Sequence, residues 1–313
     1  MSDEQQSHRS DLGESNGATL SERLIGWIFQ PNLLLGASCL VAAAVFLPKT
    51  TRLLPDLRQD SQYRLLTSRI EITPPPHWVP HDLVEQIKKK AGLPDELSLL
   101  DKDITQRVAA AFERHPWVRG RVQVRTSVPA RMRIDIEYRE PVAMVCVTNG
   151  AKSGLFPIDA EATVLPSSDF SPAEVAKYPV IENVVSPPRV SAGMIWEDVR
   201  LQGAARLAVL LKPHWTEFGL KSIRVPARPE AKRDDLSYQL GTAGGSRIIW
   251  GRAPGSRHPG ELTAEKKIER MKFYLRHHGP FDSTHGPCEF DITHWRDISR
   301  KPIAEKAATT RRR

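Results

Sequence analysis

Two alternating stretches near the middle of the chain constrain its fold more than anything else in it. In the first, Val118, Val122 and Val124 alternate with Arg119, Arg121, Gln123 and Arg125. In the second, Met132, Ile134, Ile136 and Tyr138 alternate with Arg131, Arg133, Asp135, Glu137 and Arg139. A period of two means strands with one packed face and one wet face. A hairpin joining them must bring the apolar faces together, so even-numbered residues pair with even-numbered ones, and a loop over 126–130 achieves this. That register sets Arg119 opposite Glu137 and Arg121 opposite Asp135, each such pair contributing roughly 0.2–1 kcal/mol. The stretch just before them supplies a cover. Asp101 is the expected N-cap of a helix whose Ile104, Val108, Ala111 and Phe112 share one side. His115-Pro116 ends it, because a residue preceding proline is pushed out of the helical region.

Upstream, Ile70 and Ile72 mark a brief strand that Pro74-Pro75-Pro76 stops. A helix over 81–91 follows, with Leu83, Val84 and Ile87 inward, Asp82 and Glu85 in its first turn, Lys88 to Lys90 in its last and Gly92 after it. That polarity suits the helix dipole, and glycine suits the left-handed cap. The order over 68–140 is therefore β-α-α-β-β. Beyond Pro141, short strands are expected at 142–147, 154–158, 163–165, 178–181, 221–225, 236–240, 246–250 and 288–293, with helices at 195–211 and 263–277. Many short strands and two helices predict a mixed, largely antiparallel β domain over 141–300, and an α+β fold for the whole. Ahead of both domains, 24–47 holds no charged residue and is flanked by Arg23 and Lys49. This predicts a single N-terminal transmembrane helix, a signal anchor at 24–48, although Pro31 and Asn32 interrupt it. The polar stretch 1–23 and the basic stretch 301–313 are expected to be disordered tails, and 49–67 a juxtamembrane connector.

Charge and cysteines narrow the function classes. The net charge is +8 over 313 residues, but the Lys and Arg are spread over strand faces and tails with no nucleic-acid motif. A partner of anionic lipid or acidic wall polymer fits such a distribution as well as nucleic acid does, and no nucleic-acid partner is expected. Cys39, Cys146 and Cys288 imply no disulfide framework, leaving a Cys146–Cys288 bridge open. His277, His278, His285, Cys288 and His294 form the one cluster of metal-capable residues, yet only His285 to Cys288 has paired-ligand spacing. Gly241-Thr-Ala-Gly-Gly and Gly251-Arg-Ala-Pro-Gly lack the strand-to-helix setting of a phosphate cradle, and neither Ser127 nor Ser222 lies in Gly-x-Ser-x-Gly. No catalytic constellation, metal, cofactor or small-molecule substrate is expected.

The hairpin run resembles the POTRA domain of the bacterial cell-division family FtsQ (DivIB). The matching positions are Trp117-Val118, Val122, Val124-Arg125, Pro129, Ile134, Ile136 and Glu140-Pro141-Val142-Ala143; Val128 stands where the family usually has an aromatic residue. The family's second domain is matched by Gly154-Leu155-Phe156, by Ile248-Ile249-Trp250-Gly251, by the Glu265 helix and by Asp291-Ile292, with Thr293 in place of an Arg. The resemblance implies a non-enzymatic, bitopic scaffold of the division machinery in the inner (plasma) membrane, N-terminus cytoplasmic and bulk extracytoplasmic, coordinating septal wall synthesis. Lys49, Arg52, Arg58 and Arg64 after the expected span pull against that topology, though large C-terminal domains translocate largely regardless of charge. The implied partners are coiled-coil division proteins of the FtsB/FtsL kind. Their expected site is the last strand, taken to be a sheet edge able to accept a further strand, with Phe290, Ile292, Trp295 and Arg296 as anchors. Phe290 and Ile292 also suit the domain's own core. The alternative is a POTRA-bearing secretion or outer-membrane assembly component, a class that normally adds repeated POTRA units or a long β-barrel. A zinc-dependent periplasmic enzyme stands third, to be revived by stoichiometric zinc.

Overall fold

The computed structural model describes residues 35, 36, 38–45, 57, 60–149, 152–227, 236–256, 258–282 and 286–303. The chain divides into two compact units, 1–60 and 61–313. In the first, 35, 36 and 38–45 are helical, and here the expected transmembrane helix is corrected. Among the described residues no helix is long and apolar enough to cross a membrane. The ten described helical residues account for about 15 Å of rise, against the roughly 30 Å of a bilayer's hydrocarbon core. The remainder of 24–48, the tail 1–23 and most of 49–59 lie outside the described residues.

The second unit is mixed α+β and rich in sheet. Its first part contains β1 (Arg64–Leu66), β2 (Glu71–Ile72), α1 (Leu83–Ala91), β3 (Glu96–Ser98), α2 (Ile104–Glu113), β4 (Val118–Ser127) and β5 (Arg131–Tyr138). Strands β2, β5 and β4 form one sheet in that order, while β1 and β3 make a separate antiparallel pair. So the stretch assigned to a connector already holds a strand at Arg64–Leu66. Both helices lie on one sheet face, where Leu83, Ile87, Val108 and Phe112 meet Val118, Val122, Met132, Ile134 and Ile136 in one buried cluster. Gly92 closes α1 at φ 63° and donates its N–H to the Lys88 carbonyl. Helix α2 begins later than expected: Asp103, not Asp101, is its N-cap.

The hairpin register keeps one expected pair and breaks the other. Arg119 faces Glu137 at 3.2 Å, but Gln123, not Arg121, faces Asp135. A bulge between Arg119 and Gln123 is the cause. Gly120 takes φ 66° there, and the Val122 N–H donates to Glu113 Oε1 at 3.0 Å. Two extra residues on β4 move the register without changing its parity, so Val124 still faces Ile134 and Val122 stays on the packed side. The loop also shortens, since Ser127 pairs with Arg131.

The second part holds β6 (Ala143–Asn149), β7 (Lys152–Ile158), α3 (Pro172–Val175), β8 (Val180–Val184), α4 (Val199–Leu211), β9 (Leu220–Arg224), β10 (Tyr238–Thr242), β11 (Arg247–Gly251), α5 (Ala264–His278), β12 (Cys288–Asp291) and β13 (Ser299–Pro302). One sheet takes eight strands in the order β13-β12-β11-β10-β9-β8-β6-β7. Four of its pairings are antiparallel, but β6–β8, β8–β9 and β11–β12 are parallel. "Largely antiparallel" is therefore corrected to evenly mixed, because α4 and α5 serve as crossovers that bring strands back in the same direction. One buried row crosses six strands in register: Val145, Ile181, Ile223, Leu240, Ile248 and Phe290. Leu201, Ala204, Leu207 and Leu211 of α4 and Met271 and Tyr274 of α5 join the same core. Asp198 caps α4 through the Arg200 N–H and Thr263 caps α5; Ser171 and Glu174 box the short α3, a helix the sequence reading lacked.

Polar and aromatic contacts fix the two parts to each other. Arg139 Nη1 reaches Asp159 Oδ2 at 2.7 Å and Thr163 Oγ1 at 3.1 Å, and Asp159 also accepts the N–H groups of Glu161 and Thr163. Trp117 Nε1 donates to Asp169 Oδ2 at 2.8 Å, and its ring lies 5.8 Å from that of Phe170. Leu165 is buried in the core of the first part.

Candidate partner-binding site at the last strands

Strand β12 is interior, which corrects the expected edge. β13 pairs antiparallel along its whole length, Cys288 to Pro302 through Asp291 to Ser299, so among the described residues the open edge is Ser299–Pro302. Two residues of the expected basic tail, Lys301 and Pro302, are thus in the sheet, and 304–313 lie outside the described residues. Phe290 and Ile292 are wholly buried. Phe290 packs edge-on against Tyr274 and Phe281, with ring centroids 5.1 and 5.2 Å away, so neither residue can anchor a partner.

Trp295 and Arg296 are different. Trp295 is 68% exposed and Arg296 is exposed beside it. The loop carrying them is held to α5 by Arg270, whose guanidinium donates to the carbonyls of Ile292 (3.2 Å), His294 and Trp295. Lys266 Nζ stands 5.8 Å from the Trp295 ring. Between α5 and this loop runs a groove of about 600 Å³ whose lining includes Lys266, Phe273, Tyr274, Arg296, Ile298 and Arg300. Phe273 is an exposed ring stacked on His277 at 4.0 Å. The lining mixes the apolar groups of Phe273, Tyr274 and Ile298 with the cations Lys266, Arg270, Arg296 and Arg300 and the carboxylates of Glu269 and Asp297, so its charge is net positive.

The backbone beside the groove can accept a strand. The Ile303 N–H donates to the Pro287 carbonyl, so that pair is of the hydrogen-bonded kind, and alternation makes Glu289–Lys301 the next such pair. Arg300, opposite Phe290, then turns its own N–H and C=O away from β12. Pro302 offers only a carbonyl. Pro302, with Arg300 and Lys301, is a protection against indiscriminate edge pairing. Arg300 Nε also donates to Cys288 Sγ at 3.3 Å, and both Cys146 and Cys288 are free thiols, so the bridge left open by the sequence is not formed.

Among the described residues no group of three or more His, Cys, Asp and Glu is placed to hold a metal ion, and His285 lies outside them. Sequence reasoning missed β13 because Ser-Arg-Lys-Pro carries no apolar alternation. It missed Lys266, Arg270 and Phe273 because the sequence marks α5 only by the apolar stripe of Ile268, Met271 and Leu275. A phenylalanine off that stripe was the available signal. Neither a protein-family model nor a curated protein matches the chain.

Proposed function

We propose that the protein is a non-enzymatic scaffold of the bacterial cell-division machinery, working outside the cytoplasm at the envelope of the division site. It holds coiled-coil proteins of the FtsB/FtsL kind and so helps to coordinate septal wall synthesis. The observation that carries this reading is the open β13 edge beside a preformed groove, reached by Trp295, Arg296 and Phe273. Main-chain hydrogen bonds along the β13 edge would give affinity, and the groove side chains would give selectivity for an acidic strand with apolar side chains. The resemblance at Trp117 to Ala143 supplies the division context.

The test is capture of an FtsB/FtsL-type coiled-coil pair by the purified protein. Arg300→Pro deletes the outward N–H while sparing the β12 ladder, and Trp295→Ala removes an exposed ring. Each is expected to weaken capture at least tenfold, about 1.4 kcal/mol, with a nearly unchanged thermal midpoint. Full-strength capture by both folded variants would overturn the assignment.

A further inference from the structure

The sheet face turned away from α4 and α5 carries a second site, independent of the β13 edge. Alternation places there the residues flanking the buried row: Ser222, Gly241, Arg247, Glu289 and Lys301 lie in register across five strands. The next row begins Glu182, Arg224, Gln239. At the junction of the two rows is a cup of about 260 Å³ lined by Lys221, Ser222, Arg224, Gln239, Arg247 and Glu182.

Three features of this cup point to a ligand. Ser222 is only 6% exposed, lines the cup, and has no hydrogen-bond partner for its hydroxyl among the described residues. That hydroxyl is not among the fully buried, partnerless side-chain atoms of the described residues, so it still meets solvent in the cup and is placed to bond a ligand there. The floor is kept open for it: a Cβ at residue 241 would come within 2.5 Å of Ser222 Oγ, so glycine there preserves the hydroxyl's place. The lining also holds the cations Lys221, Arg224 and Arg247 against the single carboxylate Glu182, a net charge of +2. Arg224 is steadied by Glu182 at 3.3 Å and Arg247 by Glu289 at 3.4 Å, and Lys301 stands opposite Glu289. Lys221 and the Gln239 amide have no side-chain partner among the described residues.

We propose that this cup binds a phosphate monoester group. Its donors are ammonium, guanidinium, hydroxyl and amide, the set that phosphate oxygens accept from. The net charge matches a phosphate monoester, which carries about −1.5 to −2 at pH 7, better than a single carboxylate. A soluble metabolite or a lipid headgroup could present that group.

The experiment is a titration of the purified full chain with inorganic phosphate and with glycerol phosphate, followed by backbone amide shifts at constant ionic strength. Vesicles containing phosphatidate form a parallel arm. Saturable shifts centred on Ser222, Gly241 and Arg247 are expected, with Ser222→Ala and Lys221→Gln each weakening binding at least fivefold. Arg206→Ala, an exposed cation on α4, should leave it unchanged. Saturation by glycerol phosphate assigns a soluble source, and saturation on vesicles alone assigns the lipid. No saturation in either arm, an equal loss in Arg206→Ala, undiminished binding in both cup variants, or acetate binding as strongly as phosphate would overturn the proposal.

Discussion

His115 shows how far a residue's meaning depends on where the chain puts it. The sequence reads it as half of a helix stop, yet it is buried, its Nδ1 facing the Trp117 N–H at 3.4 Å. Burial above all, then the nearby charge of Lys90, lowers its pKa from 6.5 to about 4, while Asp169 and Asp82 pull the other way. The unfolded chain therefore takes up a proton near pH 6.5 that the folded protein refuses until about pH 4. Stability falls as pH drops through that window, by on the order of 3 kcal/mol over its whole width. Urea midpoints measured from pH 7 to 5 are expected to decline in the wild type and to flatten in His115→Gln. The same dependence on surroundings governs Lys267, which is fully buried and bonds Glu261 and the Trp250 carbonyl. Its helical spacing in α5 says nothing of that partner, because Glu261 comes from the loop before the helix.

At the scale of the element, the β4–β5 hairpin was legible in its faces and not in its detail. Ile134 is wholly buried on the packed side, with Arg133 exposed one residue away. Ile134→Asp is expected to cost several kcal/mol and Arg133→Asp less than about 1 kcal/mol, read from denaturant unfolding. Equal losses would refute the facing. The bulge needed information from another element, since its Val122 N–H is satisfied by Glu113 of α2. Glu113→Ala should therefore destabilise by about 1–2 kcal/mol, while Glu113→Gln, which keeps an acceptor oxygen, should recover most of the loss. Gly120 was the visible hint, for a glycine within a strand often marks a bulge.

Across the whole folded unit, the joint between the two sheets sets how the groove and the hairpin are carried together. Asp159 is 2% exposed at its side chain and is paired with Arg139, whereas the Lys212–Glu140 pair across the same joint is exposed. Arg139→Ala leaves a buried carboxylate without its cation, and an expected loss of about 3–5 kcal/mol follows. Lys212→Ala should cost under about 1 kcal/mol. Calorimetry on both variants checks this, and equal midpoints would show that the joint contributes no stability of its own. The sequence marked Arg139 only as the last polar residue of a strand, because Asp159 lies twenty positions on, in the turn after β7.

Local periodicity in the chain was enough to mark its elements. Alternation marked the strands, the i, i+4 apolar stripes of α2 and α5 marked helices, and Pro and Gly marked their ends. Trp295 was also legible as an exposed aromatic, since His294, Arg296 and Asp297 around it leave no apolar face to bury. Which strand lies at the edge was not marked in this way. Backbone N–H and C=O groups are alike in every residue but proline, so a strand's neighbour is chosen by long-range packing and crossover length. That choice put Phe290 inside, turned Ser-Arg-Lys-Pro into β13, and left Ser222 facing an open cup.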